Sequence, residues 1–239
     1  MPARPWPAIA LLVAAPITLN VAFAGLGSAF DYPHVLREPA AEVLTLFRHN
    51  QTAVVAWFVV LAVAAAALAP LAVLIGRLDR APAMRAAVAA GVAAAAVQAI
   101  GLLRWPLAVP ALAARAAEEG PGSSAVRTFE VLGAVLGTGL GETAGYTLTA
   151  AWTALVAIAL RHRMPAAWSV LGCVCAVLVL SGVLVPLDIP LMARTNFVGY
   201  VLWSIWLLAF AALLACRPAA SAARHESTPA QPIDVPHPL

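Results

Sequence analysis

Six apolar runs, Pro7 to Phe30, Thr52 to Ile75, Ala86 to Leu103, Phe129 to Leu160, Ala166 to Leu187 and Phe197 to Ala215, leave this chain one medium in which it can fold. Each is close to or above the roughly 20 residues that carry a helix across a bilayer. Lipid offers no partner to a bare peptide group, so each run is predicted to be helical. The expected fold is therefore all-α, a polytopic membrane protein with a bundle of six transmembrane helices filling one domain over residues 1–216. Composition agrees. Hydrophobic residues make up 63% of the 239 positions and charged residues 10%, with a mean hydropathy of +0.91, far from the roughly 25% charge of a soluble domain.

The first run resembles a secretion signal, because Arg4 precedes it and Ala22-Phe23-Ala24 looks like a cleavage site. It continues to Phe30, too long for a signal core, and is read as a retained span. The stretch from Arg217 to Leu239, rich in proline, alanine and serine, is expected to be a disordered cytoplasmic tail.

Orientation follows from the loops. Arg77, Asp79, Arg80 and Arg85 fill one short connection and Arg161-His162-Arg163 another, and short arginine-dense loops stay on the cytoplasmic side. Both termini are then cytoplasmic, and the expected location is a bacterial inner membrane. All 14 basic residues are arginine, which with the abundant alanine matches a GC-rich bacterial composition. The raw arginine bias is weak, eight inside against six outside, so the short length of the inner loops carries the argument. On the outer side, Glu38 to His49 and Leu107 to Glu119 read as short interfacial helices. Outgoing helices end in Pro106-Leu107-Ala108-Val109-Pro110 and Pro186-Leu187-Asp188-Ile189-Pro190. That pattern is compatible with three hairpin repeats, and also with prolines that simply mark helix ends.

Inside this apolar frame glycine recurs at every fourth position: Gly133, Gly137, Gly141 and Gly145. On a helix these share one face and form a stripe for close packing. Beside the stripe stands Glu142, a carboxylate that costs about 3 kcal/mol or more to bury in lipid without a partner. Arg104 lies 19 residues after Arg85, and Glu142 lies 19 before Arg161. At about 1.5 Å per residue both come out roughly 28 Å above the inner surface, and so level with each other. The same ruler brings Asn20, Gln98, Tyr146, Asn196 and Tyr200 into the outer half and leaves the inner half nearly all Ala, Val and Leu.

Two readings of this cluster stand side by side. Arg104 and Glu142, with Tyr146, Asn196, Tyr200, Gln98 and Asn20, form an outward-opening site for a small polar or amphipathic ligand, or they form a structural ion pair near the interface. The glycine stripe offers a further alternative: a non-catalytic subunit that packs against a membrane partner or a second copy. Nucleophile triads, phosphate-binding loops and clustered histidines are absent, so no cofactor or metal is implied, and an intramembrane enzyme using Glu142 as an acid or base is the least favoured reading because no second catalytic group is identifiable. The small net charge of +3 belongs to loops and gives no nucleic-acid reading. Cys173, Cys175 and Cys216 read as small core residues.

Several segments resemble a bacterial membrane family, the DUF4386-type proteins: Gly101-Leu102-Leu103-Arg104-Trp105-Pro106, Gly141-Glu142-Thr143-Ala144-Gly145-Tyr146, and Asn196-Phe197-Val198-Gly199-Tyr200. Members often read Gly-Glu-His-Leu-Gly at the second segment, so Thr143 stands in place of a histidine here. The resemblance points to Arg104, Glu142 and Asn196, and implies no activity.

Overall fold

A computed structural model describes residues 5–216 except 188 and 190, and statements of absence below refer to these described residues. The molecule is all helical, with no strand. Its helices are α1 (Trp6–Phe30), α2 (Ala40–His49), α3 (Gln51–Ala66), α4 (Leu68–Gly76), α5 (Pro82–Leu107), α6 (Val109–Glu119), α7 (Ser124–Leu132), α8 (Gly145–Ala159), α9 (Ala166–Leu180) and α10 (Met192–Ala215). A π-helical segment, Gly133–Ala144, joins α7 to α8, and 3-10 turns occupy His34–Arg37 and Ser181–Leu187.

Five helices are long and apolar enough to cross a membrane: Trp6–Phe30, Gln51–Gly76, Pro82–Leu107, Ala166–Leu187 and Met192–Ala215. The remaining predicted span, Phe129 to Leu160, is interrupted by the π segment. Its first turns also behave differently from a span. The start of α7 is capped by the Ser123 hydroxyl, which accepts from the Val126 amide, and its apolar face packs with α2 and α6.

These three amphipathic helices build a cap on one end of the bundle. Its core is aromatic. Trp105, fully buried, stacks on Phe58 with ring centroids 4.6 Å apart and meets Phe30 and Phe129 edge-on, while Val43, Phe47, Leu112 and Val126 close the surround. The interfacial helices predicted at Glu38 to His49 and Leu107 to Glu119 thus fold against each other as a cap.

At the opposite end the expectation of an Ala, Val and Leu filling fails. A tryptophan cluster holds that half: Trp168 stacks on Trp206 at 4.8 Å, and Trp152 meets Trp206 edge-on at 6.0 Å. Small residues make the room. A Cβ on Gly91 would strike the Trp152 ring at 2.6 Å, and one on Gly172 would meet Trp206 at 2.8 Å. Asp79 and Arg163 pair at 3.1 Å across the loops at this end, and the Asp79 carboxylate also accepts the Ala81 amide at 2.7 Å to start α5. Of the three cysteines read as core, only Cys175 is buried, whereas Cys173 and Cys216 are exposed. The tail predicted from Arg217 onward, and Asp188 and Pro190 of the Pro186 to Pro190 exit, lie outside the described residues.

Candidate functional site

The glycine stripe is the track on which α5 runs. A Cβ on Gly145 would meet Gln98 Cγ at 2.8 Å, one on Gly101 would meet the Gly141 Cα at 2.8 Å, and one on Gly137 would meet the Arg104 Nη2 at 2.7 Å. Steps of three along α5 (Gln98, Gly101, Arg104) therefore face steps of four along the stripe, running antiparallel. That is the 3-4 ridge geometry of closely packed helices at a small crossing angle. Gly133, the fourth member, faces open space. The stripe therefore makes room for two polar side chains of the same chain.

This register refines the relative depth of Arg104 and Glu142. Glu142 stands next to Gly141 and so is level with Gly101, whereas Arg104 lies one turn nearer the cap, across Gly137. No nitrogen of Arg104 comes within 4.0 Å of a Glu142 oxygen, so the two form no contact ion pair. Arg104 instead curls back, with Nη1 donating to the Gly101 carbonyl at 2.5 Å and its guanidinium carbon 5.4 Å from the centre of the Trp105 ring. Its Nε is buried with no acceptor. Glu142 likewise receives no hydrogen bond from the described residues, although it and Arg104 sense each other's charge. A buried, incompletely paired cation and anion are costly to keep in an apolar bundle.

Tyr32, just beyond α1, completes this group. Burial pushes its phenol up to about 12, with Glu142 adding to the rise and Arg104 opposing it. Its ring packs edge-on to Phe58 at 5.4 Å, tying it to the aromatic cap. In the sequence Tyr32 stands two residues beyond the first apolar run. Nothing in its spacing indicates that the turn after Phe30 folds inward.

The other predicted residues divide. Tyr146 and Tyr200 meet edge-on at 5.8 Å, and a Cβ on Gly182 would overlap both the Tyr146 ring and the Asn196 amide, so these three adjoin. Asn196 is buried and donates to the Val179 carbonyl at 2.8 Å, holding α10 on α9. Gln98 donates to the Thr149 hydroxyl at 2.8 Å, Thr153 to the Thr149 carbonyl at 2.8 Å, and the Trp203 indole to Thr153 at 2.8 Å. Gln98, Thr149, Tyr200 and Trp203 line a cavity of about 20 Å³. That volume holds one water molecule. Asn20 stands apart, with its amide committed to the Pro16 carbonyl at 2.7 Å and the Ser204 hydroxyl at 3.0 Å on the α1–α10 seam. Among the described residues no three His, Cys, Asp or Glu side chains converge on a point that would hold a metal ion.

Apolar helices long enough to span a bilayer, with a half-buried arginine and glutamate between them, define a multi-pass helical membrane protein with a charged interior site. The chain belongs to the family described as a domain of unknown function, DUF4386, whose model matches residues 9–211. No curated protein and no solved structure matches it.

Proposed function

We propose that the chain is a six-span inner-membrane protein that binds a small polar or amphipathic molecule between Arg104, Glu142 and Tyr32, beneath the α2–α6–α7 cap. In this reading Ser124–Ala159 contributes the sixth span, and the cap faces outward. The carrying observation is the missing contact between Arg104 and Glu142: two buried opposite charges one helical turn apart, each with bonding capacity unused, suit a ligand that bears both signs or bridges them. The π segment adds support, because π turns concentrate at functional sites and Glu142 sits in this one.

In this reading a ligand enters beneath the cap when α2, α6 and α7 move aside. Uptake follows if the Trp152–Trp168–Trp206 cluster opens in a second state. The alternative, an assembly subunit that docks through the stripe, is less well supported, because Gly137, Gly141 and Gly145 are already covered by α5.

The test uses purified protein and a panel of small zwitterions, free amino acids and betaines, read by thermal shift. Wild type is expected to be stabilised by at least one compound, whereas Glu142→Gln and Arg104→Ala fold but lose that response. An undiminished response in both variants removes the site from consideration.

A further inference from the structure

The other end of the molecule carries a surface groove that shares no residue with the charged site. Between α8 and α9 a groove of about 490 Å³ opens to the outside of the bundle. Its wall is apolar along Val170, Cys173, Val174, Val177 and Leu178, and the exposed Arg161 stands at one end. That distribution matches a lipid that enters head first at the loop end of α8.

Length makes the match specific. From Ser169 to Leu178 the groove follows nine residues of α9, roughly 13 Å at 1.5 Å per residue, close to the roughly 15 Å hydrocarbon depth of one leaflet. Its volume falls within the range of pockets that hold one extended small molecule. At the mouth, Arg161 donates through Nε to His162 Nε2 at 2.9 Å, which leaves its two terminal nitrogens without a partner among the described residues. An exposed guanidinium with two free terminal nitrogens at one end of an apolar groove follows the order of a phospholipid, phosphate first and acyl chain behind it.

We infer that this groove is a resident site for one anionic phospholipid, with its phosphate on Arg161 and one acyl chain along Val170, Val174, Val177 and Leu178. The inference needs only that the Arg161 end lies at a membrane surface, and it stands whether or not Arg104 and Glu142 bind a ligand.

The full chain is reconstituted in phosphatidylcholine vesicles with spin-labelled phosphatidylglycerol or spin-labelled phosphatidylcholine as the probe. The motionally restricted fraction reports retention. Wild type is expected to favour the phosphatidylglycerol probe, and Arg161→Gln to lower that preference about fivefold, the factor of one arginine at an anionic surface. Arg80→Gln, which removes an exposed charge from a neighbouring loop at the same end, leaves it unchanged. Val174→Phe fills the groove and removes one restricted lipid per protein. Equal losses from Arg80→Gln and Arg161→Gln would mean diffuse surface charge and overturn the site. An unaltered restricted count in Val174→Phe overturns it as well, independently of headgroup.

Discussion

At the scale of single residues, glycine decides where charge can sit. Gly137 and Gly145 carry no structural demand of their own, yet each holds the volume into which an α5 side chain extends. Gly137→Ala should therefore leave the fold intact and displace the Arg104 guanidinium, so that it reproduces the binding defect of Arg104→Ala. Thermal shift with the same compound panel checks this, and a wild-type response in Gly137→Ala would refute the placement of Arg104. Gly101 is different, because its Cβ would meet backbone at 2.7 Å from the Leu136 carbonyl and 2.8 Å from the Gly141 Cα, neither of which can rotate away. Gly101→Ala is expected to cost about 1–3 kcal/mol, the range for overpacking a tight contact. Gly133→Ala, into open space, should be neutral or gain up to about 1 kcal/mol from helix propensity. Unfolding midpoints in one detergent rank the three. The four-residue spacing announced a stripe in the sequence, but it did not reveal that one member would be idle and two would serve polar partners.

Elements explain why the site was only partly legible. Apolar runs and helix-ending prolines revealed the helices, because lipid enforces one solution for each run. The interfacial segments were also readable from their amphipathic pattern. By contrast, i,i+4 glycine spacing does not separate α from π winding, and glycine's weak helix preference makes the departure inexpensive. The π segment Gly133–Ala144 therefore had no sequence signature. A depth ruler that assumed α geometry and compared Cα heights set Arg104 and Glu142 level, whereas the Gly101–Gly141 crossing separates them by a turn. The end expected to be nearly all Ala, Val and Leu also holds Trp152, Trp168 and Trp206 among those residues. At that end the Asp79–Arg163 contact joins the α4–α5 loop to the α8–α9 loop. Arg163 is half exposed, so Arg163→Ala should cost under about 1 kcal/mol. Asp79→Ala also releases the Ala81 amide at the start of α5 and should cost about 1–2 kcal/mol. Arg163 also donates to the Leu78 carbonyl, so a smaller midpoint shift for Asp79→Ala than for Arg163→Ala would show that the amide contact adds nothing.

Taken as a whole, the molecule is sealed at both ends by different means, and this asymmetry carries its orientation. The cap end is closed by three short helices around an aromatic core, with exposed charged residues such as Arg115 and Glu119 paired on its surface at 3.1 Å. Its amphipathic pieces are connected by polar turns and can shift without breaking a spanning helix. The other end is closed by tryptophans inside the bundle and by arginine-dense loops outside it. If those loops are cytoplasmic, the cap faces outward and α10 delivers Cys216 to the inside. Two reporters separate the possibilities: the native Cys216, exposed at the end of α10, and Ala117→Cys on the exposed face of α6, both in a Cys173→Ser background. A membrane-impermeant maleimide added to intact cells should label Ala117→Cys and spare Cys216 until the membrane is opened. The reverse pattern would invert the molecule and leave the count of spans untouched. Labelling of both positions in intact cells would put the cap and α10's end on one side and eliminate the six-span arrangement, because Ser124–Ala159, α9 and α10 together must cross an odd number of times between them.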